Sequence, residues 1–140
     1  MSILSHGVDM VDCVRLAASV ERFGDKFLHR VFTPVEQDYC LGKKNSTQHL
    51  AGRFAAKEAV LKVLGTGWRD GIAWTDIEVK NLPSGQPVVK LSGKCLEIAD
   101  EIGLSKILIS ISHIETHAIA SAIGLGLPPS GALGVLGAGG

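Results

Sequence analysis

The chain has 140 residues and carries 14 Lys+Arg against 14 Asp+Glu, so its formal net charge at pH 7 is zero. This length suits one domain with a single core, and the neutral balance excludes a global field that would draw the protein to nucleic acid or to an anionic membrane. The three cysteines are odd in number and widely spaced, which argues against disulfides and zinc sites and favours a reducing cytoplasm. We expect neither a secretory leader nor a membrane span, because no apolar run approaches about 18 residues.

The N-terminal stretch predicts a strand over residues 3–11, followed by a helix that begins at about Cys13. Asp9 lies near the end of the strand, an unusual place for an inward-facing carboxylate, and Asp12 is well placed to cap the helix. Gly24 is expected to break or bend this helix. Three residues are expected to face inward: Leu16, Val20 and Phe23.

A basic stripe follows if helical geometry continues past Gly24. It would lie within one sector about 80° wide and contain Arg15, Arg22, Lys26 and Arg30. Because Glu21 and Asp25 lie nearby, this face is either an ordinary solvated surface or a docking surface for an acidic partner. The residues alone do not decide between the two.

The most informative stretch is residues 50–67, LAGRFAAKEAVLKVLGTG, which predicts a central helix. Helical spacing gives an apolar stripe of Leu50, Phe54, Leu61 and Leu64. Arg53 and Lys57 lie at the shoulder of this stripe. A cap is expected from Asn45, Ser46 or Thr47, and Gly65 fits the left-handed position that ends a helix.

Glu58 and Lys62 point away from that stripe, into a sector of small residues. This sector contains Ala51, Ala55 and Ala59, and we expect it to be open to a ligand or a second chain. The alternative is a solvated pair at i, i+4 contributing about 0.3–0.5 kcal/mol, with Arg53 and Lys57 extending their charged ends to solvent.

The remaining segments mix helices and strands without regular alternation, which predicts an α+β fold. Residues 33–36, TPVE, form a capping box with proline at the first helical position. Strands are predicted over residues 75–80, 88–91, 107–112 and 117–125, with a helix capped by Ser92 before the third. In the last strand Ala118, Ala120 and Ala122 would allow a tight interface or an overlying helix. We expect one domain over residues 1–125 and a mobile glycine-rich tail over residues 126–140.

Four segments in this order resemble one family: GVD at 7–9, FTPVEQDYC at 32–40, LAGRFAAKEAVLKVLGTG at 50–67 and SISH at 110–113. With the GQP turn at 85–87, they are similar to the holo-[acyl-carrier-protein] synthases, the small 4′-phosphopantetheinyl transferases. The resemblance covers residues 3–124. It implies an antiparallel sheet packed around a central helix, and a homotrimer with active sites between neighbouring subunits.

The activity implied by this resemblance is Mg²⁺-dependent transfer of the phosphopantetheine arm from coenzyme A to a serine of apo acyl carrier protein, releasing 3′,5′-ADP. Asp9 and Glu58 correspond to the family's metal ligands, and Mg²⁺ prefers such oxygen ligands together with water. Lys62 corresponds to the lysine near the pyrophosphate. The acceptor of the serine proton stays open between Glu58 and a metal-bound water.

The resemblance also implies two binding surfaces. His113, with Ser112 beside it, matches the histidine that contacts the cofactor phosphates. The surroundings of the nucleotide and its 3′-phosphate correspond to Lys44, Arg53, Gly85, Gln86 and Pro87. The docking surface for the acidic carrier helix corresponds to Arg15, Arg22, Lys26 and Arg30.

Two positions depart from the family pattern. Ser5 stands where a glycine is frequent, and His117 stands where an aromatic residue commonly follows SISH. An alternative from another class is a catalytically silent module that binds coenzyme A or a carrier protein. Such a module would not need Asp9, Glu58 and Lys62 together.

Overall fold

A computed structural model describes residues 1–69 and 71–127, so most of the predicted tail, residues 128–140, lies outside the described residues. The elements in chain order are β1 (Ser2–Asp12), α1 (Cys13–Phe23), α2 (Asp25–Val31), α3 (Pro34–Leu41), α4 (Ser46–Leu64), β2 (Ile77–Asn81), β3 (Pro87–Leu91), α5 (Gly93–Glu101), β4 (Leu104–His113) and β5 (His117–Gly126). A short 3₁₀ turn, Trp74–Asp76, precedes β2. The predicted α+β architecture is confirmed.

The main sheet has three antiparallel strands in the order β1-β5-β4, and β2 and β3 form a separate hairpin. On β5, Ala120 lies opposite Asp9 of β1 and opposite Ile111 of β4. Two residues further along β5, Ala118 lies between Val11 and His113. Asp9 and His113 therefore belong to strands that are separated by β5.

The central helix α4 packs its alanine face against this sheet. Ala51, Ala55 and Ala59 are fully buried, so the expectation that this face is open is wrong. The alanines of β5 are also buried, which selects an overlying helix over a tight interface between chains. The contact is closest at Gly7, where an added Cβ would lie 2.4 Å from the Ala59 carbonyl oxygen.

Gly24 separates α1 from α2 with a φ of 57°, so the single continuous helix assumed for the basic stripe does not form. Phe23 consequently does not face the core. Its side chain is 51% exposed, and the Arg22 guanidinium lies 5.2 Å from its ring centroid. The expected inward position of Phe23 is wrong: Phe23 is the last residue of α1, and this end of the helix is exposed before the chain turns at Gly24.

The predicted helix caps at Asp12, Thr33 and Gly65 are confirmed. Asp12 accepts hydrogen bonds from the amides of Val14 and Arg15, and Thr33 and Glu36 form the reciprocal capping box of α3. Gly65 ends α4 in the left-handed region, with a φ of 77°. Asn45 occupies the cap position of α4 without a capping side-chain hydrogen bond.

Lys57 and Glu36 form a fully buried ion pair, with Nζ 2.8 Å from Oε1. Lys57 also donates to the carbonyl oxygens of Trp74 and Ile77, which fills all three ammonium donors. The other Glu36 oxygen accepts from the Val79 amide at 2.8 Å. Arg53 is buried too, so the solvent-extended alternative for both cations is wrong.

None of the helices in the described part of the chain has the length and apolar character that crossing a bilayer demands.

Candidate functional site

Three of the predicted catalytic residues meet where β1 crosses α4. Lys62 Nζ lies 3.2 Å from Asp9 Oδ1 and donates a hydrogen bond to the Val8 carbonyl oxygen at 2.7 Å. Glu58 lies one helical turn before Lys62 on the same helix. The missing side chain of Gly7 permits this approach, because a Cβ there would also meet the Lys62 Cβ at 2.7 Å.

Glu58 ionises less readily than an ordinary carboxyl group because of its burial and its nearness to Asp9. Burial raises the pKa of Glu58 above its ordinary value, and the charge and hydrogen bonding of Asp9 raise it further, against a smaller lowering by Lys62. A second negative charge at close range disfavours ionisation of the first. A bound cation would relieve this repulsion.

These side chains open into a cleft of about 580 Å³. Its polar lining includes Asp9, Glu58, Arg15 and His117, and its apolar lining includes Leu16, Phe27 and Phe54. His117, which departs from the family pattern, therefore lies at the same cleft as the two carboxylates. The cleft can accommodate an extended ligand with both charged and apolar parts.

Arg53 belongs to a second group of predicted residues. Its guanidinium lies 4.2 Å from the Tyr39 ring centroid, and its Nη2 donates to Asn81 Oδ1. Asn81 in turn donates to the Gly85 carbonyl oxygen at 2.9 Å. Arg53 is thus linked to the predicted 85–87 turn, where Gln86 and Pro87 line a cavity of about 250 Å³.

His113 packs against the N-terminal part of α4. Its Nδ1 is 2.7 Å from Gln48 Oε1, and its ring centroid is 5.2 Å from that of His49. Ser112 and His113 also line a cavity of about 200 Å³ together with His117. Lys44 is exposed in the connection before α4, where its neighbour Lys43 packs on Tyr39.

The described chain therefore contains two groups of predicted site residues. The first set, which we call the carboxylate group, consists of Asp9, Glu58 and Lys62. The second set, which we call the phosphate group because its residues are predicted to surround the cofactor phosphates, consists of Arg53, Ser112 and His113. Asp9 and His113 lie on strands separated by β5, and their partners on β5 are two residues apart. Their backbones are therefore about 10 Å apart across the sheet and about 7 Å apart along it. Within the described part of one chain, the residues of the carboxylate group do not contact those of the phosphate group.

The docking residues line two adjoining cavities. Arg15 lines the cleft that holds Asp9 and Glu58. Lys26 and Arg30 line a neighbouring pocket of about 220 Å³, which contains Phe23 and shares Ser19 and Phe27 with that cleft. Arg22 stacks on Phe23 at the edge of this region.

Four residues at the phosphate group were not predicted as site residues: Tyr39, Gln48, His49 and Asn81. Tyr39 falls within the FTPVEQDYC segment of the resemblance, which was its only sequence signal. The others are brought in by tertiary contacts that no local spacing encodes.

The cleft offers oxygen ligands suited to a divalent cation. Asp9 and Glu58 supply two carboxylates, and the described residues contain no group of three His, Cys, Asp or Glu side chains placed to hold a metal. Mg²⁺ commonly binds through one or two carboxylates, water and substrate phosphates. Asp9 and Glu58 therefore fit Mg²⁺ when a phosphate ligand is also present.

Comparison with known proteins gives one consistent family. The model of the 4′-phosphopantetheinyl transferase superfamily matches residues 5–122. A holo-[acyl-carrier-protein] synthase of Koribacter versatilis is 46% identical over 121 residues, covering 86% of this chain and 97% of that protein. One from Geobacter sulfurreducens is 46% identical over 118 residues, covering 84% of this chain and 94% of that protein.

Solved structures agree. The Neisseria meningitidis holo-[acyl-carrier-protein] synthase superposes with a TM-score of 0.79 at 30% identity, covering 88% of this chain and 98% of that one. The Helicobacter pylori enzyme in complex with coenzyme A superposes with a TM-score of 0.76 at 34% identity, covering 86% of this chain and 99% of that one.

Proposed function

Because this chain belongs to the 4′-phosphopantetheinyl transferase superfamily, and within it to the holo-[acyl-carrier-protein] synthases, we propose that it transfers the phosphopantetheine arm of coenzyme A to a serine of apo acyl carrier protein. The observation that carries the proposal is the meeting of Asp9 and Glu58 at one cleft, with Lys62 paired to Asp9 beside it. The reaction releases 3′,5′-ADP. The predicted cytoplasmic location stays a prediction.

The chemistry is a phosphoryl-type transfer. The serine hydroxyl oxygen bonds to the β-phosphorus of coenzyme A, and the bond from that phosphorus to the bridging pyrophosphate oxygen breaks. The serine proton passes to Glu58 or to a nearby water. The Lys62 ammonium stabilises negative charge on the leaving phosphate or donates a proton to it.

Asp9 and Glu58 would hold Mg²⁺, which when bound neutralises charge on the pyrophosphate. The raised pKa of Glu58 supports this assignment, because two crowded carboxylates gain most from a cation. Lys62, which pairs with Asp9 in the described chain, is then available to the phosphates.

The nucleotide end of coenzyme A would lie against the residues of the phosphate group, Arg53, Ser112 and His113, and against the 85–87 turn. Arg53 and His113 supply positive charge or hydrogen-bond donors there, and Lys44 is proposed as a further contact from its exposed loop. The link from Arg53 through Asn81 to Gly85 supports this placement.

We propose that a complete site forms between neighbouring copies in a homotrimer. The outer face of the main sheet leaves Val8, Met10, Leu108 and Ile119 exposed, an apolar surface that suits contact with another copy. A neighbouring copy could then place the residues of its phosphate group next to the residues of the carboxylate group of the first chain. Analytical ultracentrifugation tests the assembly: a trimer is expected, and a monomer at micromolar concentration would refute it.

The carrier would dock on α1 and α2, where its acidic helix meets Arg15, Arg22, Lys26 and Arg30. We expect the double variant Lys26→Glu/Arg30→Glu to raise the KM for the carrier by about tenfold or more, because rim charge reversal opposes encounter. The KM for coenzyme A should not change. Lys90→Glu, at an exposed position of β3, is the control for a charge reversal away from this surface. An unchanged carrier KM in the double variant would exclude this docking surface.

Incubation with apo carrier protein, coenzyme A and Mg²⁺ tests the function itself. Mass spectrometry should show carrier that has gained one phosphopantetheine, with an equal amount of 3′,5′-ADP, and EDTA should stop both. A carrier that keeps its apo mass under all conditions would leave only the silent binding module.

A further inference from the structure

Two cations and two histidine rings cluster around Tyr39, and the proposed contacts with coenzyme A use only Arg53 and His113 of these four. Lys43 Nζ lies 4.6 Å from the Tyr39 ring centroid and the Arg53 guanidinium lies 4.2 Å from it. The His49 ring meets Tyr39 edge-on at 5.7 Å and His113 at 5.2 Å. We call Tyr39, Lys43, His49, Arg53 and His113 the Tyr39 cluster.

Three groups whose charge lowers the pKa of His49 lie around it, together with the uncharged ring of Tyr39. Tyr39 and Lys43 face it from α3 and the loop that follows, Arg53 from α4, and His113 from β4. Partial burial lowers the pKa of His49 most, followed by the charges of His113, Arg53 and Lys43. The imidazole is therefore neutral at pH 7 in the free protein.

Two further observations indicate that the Tyr39 cluster receives an anion. Arg53 is only 4% exposed, yet its Nε has no hydrogen-bond partner within the described residues. His49 also lies in the first turn of α4, the positive end of a helix 19 residues long. Uncompensated cations at such a position favour a bound phosphate.

We propose that His49 takes up a proton from solvent when phosphate groups of the coenzyme A nucleotide bind in the Tyr39 cluster, so that binding is proton-linked. This rests on the proposed function and adds a residue that the family resemblance does not assign. A phosphate dianion offsets the charges of Lys43 and Arg53, which then no longer oppose an imidazolium. As imidazolium, His49 donates from both ring nitrogens and can hydrogen-bond a phosphate oxygen.

Linkage gives the sign of the effect. A group whose pKa is higher in the complex than in the free protein makes binding tighter as pH falls from above the bound pKa to below the free pKa. Each unit of increase contributes up to about tenfold in the dissociation constant. The ligand phosphate titrates as well, but that contribution is common to wild type and variants.

Isothermal titration calorimetry of coenzyme A binding with Mg²⁺, in buffers of different ionisation enthalpy, measures the protons taken up. We compare wild type with His49→Phe, which keeps an aromatic edge against Tyr39 and His113. His29→Phe is the matched control, since His29 is exposed on α2. His49→Phe should take up fewer protons at pH 7 than wild type and His29→Phe, and its affinity should fall about 5- to 10-fold less between pH 6 and pH 8.

An NMR titration of the His49 ring in the wild-type protein, with and without coenzyme A, keeps the test open if His49→Phe does not fold. The pKa of His49 should rise in the complex. Equal proton uptake by wild type and His49→Phe, or a His49 ring that titrates at the same pH in both states, would overturn the inference alone. Failure of the wild type to bind coenzyme A would overturn the proposed function and the inference together.

Discussion

Lys57 and Glu58 are sequence neighbours with opposite roles. Lys57 is fully buried and all its ammonium donors are occupied, one of them by Glu36. Glu58 is half-buried and faces the cleft. The resemblance gave Lys57 no role; the structure shows that it ties α4 to α3 and to β2. Its partner could not be read from local spacing, because Glu36 was already explained by the capping box.

Glu58 is expected to destabilise the protein in the absence of metal. Its pKa is raised in the folded state, so the stability linked to its proton is complete below the ordinary carboxyl pKa and is lost as pH rises through the folded value. At pH 7 Glu58→Gln should therefore raise the melting temperature by about 2–5 °C without Mg²⁺.

With coenzyme A present to supply phosphate ligands, adding Mg²⁺ should raise the melting temperature of the wild type further but not that of Glu58→Gln, because ligands stabilise only a folded state that binds them. Glu97→Gln, an exposed carboxylate on α5, serves as the control and should behave as wild type. Equal stabilisation of Glu58→Gln by Mg²⁺ would remove Glu58 from the metal site.

At the scale of elements, the contact between β1 and α4 determines the positions of the residues of the carboxylate group. Gly7→Ala places a Cβ at 2.4 Å from the Ala59 carbonyl oxygen and 2.7 Å from the Lys62 Cβ, so the strand must move away from the helix. We expect a loss of about 1–3 kcal/mol in the free energy of unfolding, and Mg²⁺-dependent activity reduced by at least about tenfold. Urea denaturation and a transfer assay measure the two effects.

Gly42→Ala is the control for this substitution, since Gly42 has a φ of −77° that alanine also adopts. Its Cβ would lie 3.3 Å from the Asp38 carbonyl oxygen, a much milder contact. If Gly7→Ala were as stable and active as Gly42→Ala, the close approach would not be what positions Asp9.

Features of local chemistry were predictable from the sequence, and features of long-range packing were not. The capping box at Thr33 and the left-handed end at Gly65 follow from residues within one turn, and both are confirmed. The alanine face was predicted to be open because small residues suit a ligand and a sheet equally well. Its burial depends on where β1 and β5 pack.

The same limit applied to Phe23 and His49. Helical spacing placed Phe23 inward, but the turn at Gly24 changes the direction of the chain after α1. His49 carried no motif signal, and its place beside His113 follows from the packing of α4 against β4. Site residues on the recognised segments were found, whereas residues contributed through packing were missed.

At the scale of the whole molecule, the separation of the two groups by β5 predicts complementation between inactive chains. Asp9→Asn removes a residue of the carboxylate group, and His113→Ala removes a residue of the phosphate group. If each site takes one group from each of two neighbours, co-expressed chains mixed equally should show about one quarter of wild-type activity, because each half is drawn independently.

A mixture of Asp9→Asn with Glu58→Gln is the control for complementation. Both changes affect the same group, so no site in that mixture is intact and no activity should return. Complementation in the control, or none between Asp9→Asn and His113→Ala, would refute a site shared between copies.

The rate of phosphopantetheine transfer by Asp9→Asn and Glu58→Gln at saturating Mg²⁺, followed as mass gained by the carrier, tests the proposed site most directly. We expect a loss of at least about 10²–10³-fold in kcat for each variant, with Glu97→Gln unchanged and circular dichroism showing intact folds. Transfer at the wild-type rate by either variant would contradict the assignment of Asp9 and Glu58 as the centre of the site.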